Sequence, residues 1–173
     1  MSHPLLLYDG VCGLCNQLVQ FILRRDPGGV FRFAALQSAL AGRILARRGV
    51  NATDLDTVYV VVNSGQADEE LLSWSDAVIF ILMHVGVAEL RSTGQPGAAV
   101  PTQAKPTPAT PAPRGPTFGY SFWRFIGLLL QLVPRRVRDW GYRVVARSRY
   151  RIFGRYDTCP VPSEDTRWRF LDL

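Results

Sequence analysis

Two cysteines three positions apart, Cys12 and Cys15, are the residues best suited to chemistry in this sequence. They follow a short apolar run that ends at Asp9, and they open a stretch with helical periodicity. A thiol at a helix N-terminus faces unpaired backbone N–H groups and the positive end of the helix dipole, and both favour the thiolate. We therefore predict that Cys12 is the nucleophile of a thiol-disulfide exchange site.

Cys15 is predicted to complete the exchange as the resolving thiol. It shares a helical face with Cys12, and disulfides bridge Cα atoms about 4.4–6.8 Å apart, so Cys15 can attack the mixed disulfide and release the product. Asp9 closes the preceding strand, where a partly buried carboxylate with a raised pKa can exchange a proton with Cys15. We expect no cofactor and no metal, and a protein or small-molecule disulfide as substrate.

A zinc site is the main alternative, because Cys-x-x-Cys also occurs as half of a tetrahedral ligand set. Four ligands would require Cys12, Cys15 and Cys159 together with His3 or His84. The sequence contains no second closely spaced pair, and we expect His84 to be a core histidine bonded to a backbone carbonyl. In this alternative the protein is a non-catalytic binding module with structural cysteines.

Strand and helix signals alternate around the cysteines and predict a βαβαββα order. Residues 63–66, Asn-Ser-Gly-Gln, form a turn between the third and fourth strands. Ser38 is the expected cap of the second helix, and Ser75 or Asp76 that of the third. The strands are predicted at residues 5–8, 30–33, 57–62 and 70–74, and the helices at 12–25, 38–48 and 77–90.

The C-terminal third is predicted to be helical, with helices at 118–133 and 134–153. In the second helix the stripe Val137, Trp140, Gly141, Val144 and Ser148 has helical spacing and is predicted to face inward. The segment before these helices, residues 93–117, is rich in proline, with alanine and threonine between. It cannot bury enough apolar surface to offset its ordering entropy, so a disordered insertion is expected.

The net charge of +6 arises from the C-terminal part of the chain, where residues 118–173 contain eleven basic and five acidic side chains. A solvated helix face explains such arginines, and peripheral membrane contact through the Arg-rich helices is the alternative. No nucleic-acid partner is expected, because no recognition motif accompanies the charge. The apolar run near the N-terminus ends at Asp9, too early for a secretory signal, so a cytoplasmic location is expected.

Residues 8–16, Tyr-Asp-Gly-Val-Cys-Gly-Leu-Cys-Asn, resemble the signature of the DCC family, which is named for its Asp-x-x-Cys-x-x-Cys motif. Segments 33–38, 75–78 and 149–159 are similar to further blocks of that family. The resemblance implies a thioredoxin-like fold and a thiol-disulfide oxidoreductase role for Cys12 and Cys15, with Asp9 completing the motif. Residues 51–56 contain no proline, so the cis-proline that usually borders a thioredoxin site is missing here.

Together these observations predict one α/β domain in three parts. Residues 1–92 form the thioredoxin-like core, 93–117 the proline-rich insertion, and 118–173 a helical extension packed on the same domain. Cys159 matches the C-terminal block of the family. We expect it to be a small buried residue, and the alternative is a third thiol that pairs with Cys12 or Cys15.

Overall fold

Four short strands form one mixed sheet in the computed structural model, which describes residues 3–51, 57–85, 118–157 and 164–171. The sheet order is β2-β1-β3-β4, with β1 parallel to β2 and antiparallel to β3, and with β3 antiparallel to β4. Together with the order of the first three helices, this topology confirms the thioredoxin-like core. The strands are β1 Leu5–Tyr8, β2 Arg32–Ala35, β3 Tyr59–Val62 and β4 Glu70–Ser73.

Six helices are present in the described ranges. The helices are α1 Gly13–Arg25, α2 Ala39–Arg47, α3 Trp74–His84, α4 Phe118–Leu132, α5 Arg135–Phe153 and α6 Glu164–Arg167. The predicted cap of α2 is confirmed, since Ser38 Oγ accepts from the Ala41 N–H at 3.2 Å. Helix α5 ends at Gly154, as predicted, and this glycine has a φ of 75° that other residues rarely adopt.

The predicted cap of α3 is wrong. The helix begins one residue earlier than Ser75, directly after β4, and Ser73 is its N-cap without a side-chain capping bond. Instead, the Trp74 N–H donates to Thr57 Oγ1 at 3.1 Å. The first unpaired donor of α3 is thus satisfied by a residue that precedes β3, because strand and helix join without a loop that could supply a cap.

The β1 side chains alternate between two apolar clusters, one on each face of the sheet. Leu6 and Tyr8 pack in the cluster that contains the buried side chains of α1 and α3. Leu5 and Leu7 pack in the cluster that contains those of α2. Burial on both faces explains why this strand is a continuous apolar run, and it places the end of β1 at the centre of the molecule.

Helix α4 lies mainly against α3. A Cβ at Gly127 would stand 3.1 Å from Met83 Sδ, so this glycine permits close approach of the two helices. One turn earlier on the same face of α4, Trp123 packs edge-to-face on Phe21 of α1 with ring centroids 4.8 Å apart. The helix therefore covers α1 and α3.

The predicted inward stripe of α5 is wrong. Val137, Trp140 and Val144 are 55%, 68% and 51% exposed, respectively. The buried residues of α5 are Ala146 and Arg149. The helix turns this stripe to the solvent, because its opposite face forms specific polar contacts with the start of α3, with Asp9 and with Val58.

Polar pairs fix the inner face of α5. The Ser75 hydroxyl donates to Asp139 Oδ1 at 2.5 Å, and Arg138 Nη2 lies 3.2 Å from Asp76 Oδ1. One turn further on, the Tyr142 hydroxyl accepts from the Val58 N–H at 3.1 Å. These contacts join α5 to the start of α3 and to the residue before β3.

The chain returns to the edge of the sheet after α6. The Phe33 N–H donates to the Arg169 carbonyl at 2.9 Å, and the Leu171 N–H donates to the Phe33 carbonyl at 2.7 Å. The Arg169 guanidinium forms a buried ion pair with Asp26, which also accepts from the Phe31 N–H at 2.9 Å. This segment covers the otherwise open edge of β2.

His84 is exposed, so the prediction of a core histidine is wrong. Its Nδ1 lies 2.8 Å from the Phe80 carbonyl oxygen, as expected of a bond to the backbone, and its ring stacks on that of Phe80. Within the described ranges no helix combines the length and the apolar character required to cross a bilayer. The predicted insertion 93–117 and Cys159 lie outside the described residues.

Candidate dithiol site

Cys12 and Cys15 meet at the first turn of α1, immediately behind the end of β1. Cys12 is the N-cap, with extended φ and ψ of −84° and 123°, and its sulfur accepts from the Cys15 N–H at 3.4 Å. The sulfur thus takes the place of the oxygen that usually caps a helix. Both cysteines are reduced and buried, and their side chains are within hydrogen-bonding reach of each other.

The pKa values of the two thiols are shifted in opposite directions. Hydrogen bonds from the Cys15 thiol and from its backbone N–H, helped by the charge of Arg149, lower the pKa of Cys12 to about 6, although burial and the charge of Asp9 oppose the shift. The pKa of Cys15 is raised, because its proton is held in the bond to Cys12 and because the group is buried. These shifts favour the thiolate at Cys12 and the protonated thiol at Cys15.

Asp9 is fully buried, not partly buried as expected. Oδ1 accepts from Gln37 Nε2 at 2.8 Å and from the Val11 N–H at 3.2 Å. Oδ2 accepts from the Tyr150 hydroxyl at 2.5 Å and lies 3.5 Å from Arg149 Nη2. Each oxygen of the carboxylate therefore has two partners, as a buried charge requires.

This arrangement makes Asp9 an anchor for α5. Its carboxylate holds Arg149 and Tyr150, and Arg149 in turn favours the thiolate of Cys12. Burial and the bond to Asp9 raise the pKa of Tyr150, so the phenol remains a donor to the carboxylate. Proton exchange between Asp9 and Cys15 stays a prediction.

Arg149 and Tyr150 are the site residues that residue patterns alone missed. They lie among nine other basic or aromatic residues of α5, and such a helix suggests a solvated face. The available signal was the resemblance of segment 149–159 to a block of the DCC family. Gln37 was likewise within a resembling segment, 33–38, but nothing in its spacing predicted a contact with Asp9.

A short segment that we call the strap, Gly154–Tyr156, covers Cys12. The Gly13 N–H donates to the Gly154 carbonyl at 3.2 Å, and the Tyr156 N–H donates to the Val11 carbonyl at 2.8 Å. Between these bonds Cys12 pairs with Arg155 in an antiparallel bridge. The side chain of Cys12 is 0% exposed, so the structure around it must open before a substrate can reach the sulfur.

The Cys15 side borders a cavity of about 210 Å³. Its walls are mostly apolar and come from α1, α3, α5 and the residue before β3, and Tyr142 and Arg149 supply the polar groups. Cys12 is not among the lining residues. The cavity therefore borders Cys15 but not Cys12.

The described residues bring together no group of three side chains that could hold a metal ion. His3 bonds the Val30 carbonyl and His84 bonds the Phe80 carbonyl. Neither histidine is therefore in the arrangement that the zinc alternative requires, and Cys159 lies outside the described ranges.

Comparison with known proteins identifies relatives over almost the whole chain. The pattern of the family described as DCC1-like thiol-disulfide oxidoreductase matches residues 6–93. "Uncharacterized protein YuxK" of Bacillus subtilis (strain 168) is 32% identical over 171 residues, which cover 99% of this chain and 96% of that protein. "DCC family protein At1g52590, chloroplastic" of Arabidopsis thaliana is 31% identical, over 92% of this chain and 70% of that protein. No solved structure matches.

Proposed function

The chain belongs to the DCC1-like thiol-disulfide oxidoreductase family, and we propose that it reduces disulfides with Cys12 as the nucleophile and Cys15 as the resolving thiol. The observation that carries this proposal is the hydrogen bond to Cys12 Sγ from the Cys15 N–H, at 3.4 Å, together with the opposite pKa shifts of the two thiols. Cys12 is thus ready to attack a disulfide as a thiolate, and Cys15 stays protonated until the mixed disulfide has formed.

The reaction begins with the attack of the Cys12 thiolate on a substrate disulfide. A bond forms between Cys12 Sγ and one substrate sulfur, the substrate S–S bond breaks, and the other half leaves as a thiolate. Because the pKa of Cys12 is about 6, roughly nine-tenths of this group is ionised at pH 7. Arg149 stabilises the negative charge before the attack.

Cys15 then attacks Cys12 Sγ in the mixed disulfide. Its thiol proton passes to one leaving thiolate and water protonates the other. A bond forms between Cys15 Sγ and Cys12 Sγ, the bond from Cys12 to the substrate sulfur breaks, and the second half of the substrate is released as a thiol. The protein dithiol has lost two electrons, and the substrate disulfide has become two thiols. The raised pKa of Cys15 keeps this group protonated until the mixed disulfide removes the hydrogen-bonded thiolate.

Access to Cys12 requires that the strap leaves its place. Two backbone hydrogen bonds hold it against Val11 and Gly13, and breaking two such bonds into water costs only about 1–3 kcal/mol. A brief opening of this size admits substrates without unfolding the core. The substrate in this proposal is a protein or small-molecule disulfide.

Trapping of the mixed disulfide tests the proposal. In protein that carries Cys159→Ser, the Cys15→Ser variant treated with bis(2-hydroxyethyl) disulfide is expected to accumulate one adduct on Cys12. The matched Cys12→Ser variant is expected to form an adduct at least tenfold more slowly, and the protein with both thiols is expected to end as the internal disulfide. Mass mapping distinguishes these products. Faster adduct formation on Cys15, or stoichiometric zinc in the purified protein, would contradict the proposal.

A further inference from the structure

The outer face of α5 carries an apolar stripe that no described residue covers. Val137, Trp140, Val144 and Ile152 are three, four and eight residues apart, so they lie on one side of the helix. Each is more than half exposed, and Ile152 is 67% exposed. Proteins that remain monomeric rarely leave a contiguous apolar surface open to water, so this stripe marks an interaction surface.

The stripe cannot turn inward, because the opposite face of α5 is committed to specific polar contacts. Asp139 accepts from the Ser75 hydroxyl at 2.5 Å, and Tyr142 accepts from the Val58 N–H at 3.1 Å. Near the end of the helix, Arg149 pairs with Asp9. A rotation of α5 would leave these buried polar groups without partners.

Arginines border the stripe along its whole length. Arg136, Arg143, Arg147 and Arg151 are exposed and recur at intervals of seven, four and four residues, which places them on one edge. The only acidic residue of α5 is Asp139, which lies on the inner face. The surface is therefore apolar along its centre and positive along its border.

Helix α4 also has an exposed apolar face. It contains no acidic residue, and its exposed apolar side chains also follow helical spacing. These side chains are Phe122, Phe125, Leu128, Leu129 and Leu132.

We propose that the outer faces of α4 and α5 dock on the surface of a bilayer that contains anionic lipids. The apolar stripes enter the boundary between headgroups and acyl chains, and the arginines contact lipid phosphates. A second copy of this chain is a poorer occupant, since pairing would bring two arginine borders together with no acidic residue of α4 or α5 on either outer face to balance them.

Vesicle sedimentation tests this proposal with the full chain. Binding is expected for vesicles of phosphatidylcholine with 30% phosphatidylglycerol and not for pure phosphatidylcholine, and it should weaken as salt rises. The double variant Trp140→Gln/Val144→Gln changes only exposed positions and is expected to lower binding at least tenfold. Far-UV circular dichroism and thermal unfolding should match the parent protein.

A pair of charge-matched variants separates this surface from the overall charge of the protein. Arg136→Gln/Arg147→Gln is expected to weaken binding about 25-fold, at a factor of about five for each arginine near an anionic surface. The control Arg24→Gln/Arg43→Gln removes the same charge from exposed positions of α1 and α2 and should change binding less than threefold. No binding to anionic vesicles, an equal loss in the control, or a dimer that Trp140→Gln dissociates would overturn the proposal.

Discussion

Helices α1 and α5 both border the thiols, yet they bury opposite kinds of side chain. Helix α1 buries Val19 and Ile22 in the apolar cluster under the sheet. Helix α5 buries Arg149 against Asp9 and leaves Val144 and Ile152 in the solvent. Burial of apolar side chains is therefore the main interaction that holds α1 in place. Helix α5 is held mainly by ion pairs and hydrogen bonds.

The difference follows from what each helix covers. Helix α1 lies directly on the apolar face of the sheet, where β1 contributes Leu6 and Tyr8. Helix α5 lies across the ends of strands, where the Asp9 carboxylate and the start of α3 present polar groups. A helix in that place must provide partners for these charges: Arg138 and Arg149 pair with Asp76 and Asp9, and Arg149 also favours the thiolate of Cys12.

The largest effect is expected from breaking the polar contact of α5. Arg149→Met leaves the buried carboxylate of Asp9 without its cation, and the loss of one partner of a buried ion pair costs about 3–5 kcal/mol. The variant should also raise the pKa of Cys12, because the charge of Arg149 lowers it. Urea unfolding and the pH dependence of thiol alkylation measure the two effects.

The control is Arg147→Met, which removes the same side chain from an exposed position two residues earlier. Its expected effect on stability is within about 0.5 kcal/mol. Equal stability of the two variants would mean that the inner face of α5 is not held by its charges.

A second pair of variants tests the apolar contact of α1. Ile22→Ala removes a fully buried side chain and should lower the free energy of unfolding by about 2–4 kcal/mol. Ile152→Ala makes the same change on the exposed stripe of α5 and should cost less than about 0.5 kcal/mol. Urea unfolding measures the free energy of unfolding of both variants. A large loss for Ile152→Ala would show that the stripe is covered.

A smaller effect is expected where the two helices meet at the strap. A Cβ at Gly13 would stand 2.0 Å from the Phe153 carbonyl oxygen, so Gly13→Ala must displace the end of α5. Such overpacking costs about 1–3 kcal/mol. Alkylation of Cys12 in the folded protein should become several-fold faster, because the strap opens more often.

The matched control for this change lies in α2. A Cβ at Gly42 meets nothing within 4 Å, so Gly42→Ala should stabilise the protein by about 0.5–1 kcal/mol and leave the alkylation rate unchanged. If Gly13→Ala also left the rate unchanged, the strap would not control access to Cys12.

Residue patterns predicted the parts of the fold in which burial follows apolarity. The strand at 5–8, the helix start beside Cys12 and the cap at Ser38 were readable, because each rests on local chemistry that tertiary contacts did not override. The inner face of α5 was not readable, since its partners Asp9 and Asp76 are more than 60 residues away in sequence. Periodicity identified the stripe of this helix correctly and assigned it to the wrong side.

The candidate site also has a local part that the sequence predicts and a long-range part that it does not. The spacing of Cys12 and Cys15 at a helix start indicated the dithiol, whose geometry is local to one turn. The burial of Asp9 and its bond to Tyr150 join residues 141 positions apart, and no pattern within one sequence encodes such a contact. The position of the strap over Cys12 also depends on contacts between residues far apart in sequence.

The pH dependence of Cys12 alkylation tests the asymmetry of the two thiols most directly. In reduced protein that carries Cys159→Ser, the rate of reaction with iodoacetamide is measured between pH 4 and 10, with the labelled cysteine located by mass mapping. The account predicts that Cys12 is labelled first and that its rate is half-maximal near pH 6 and constant above about pH 8. A half-maximal rate near pH 9, or earlier labelling of Cys15, would contradict it.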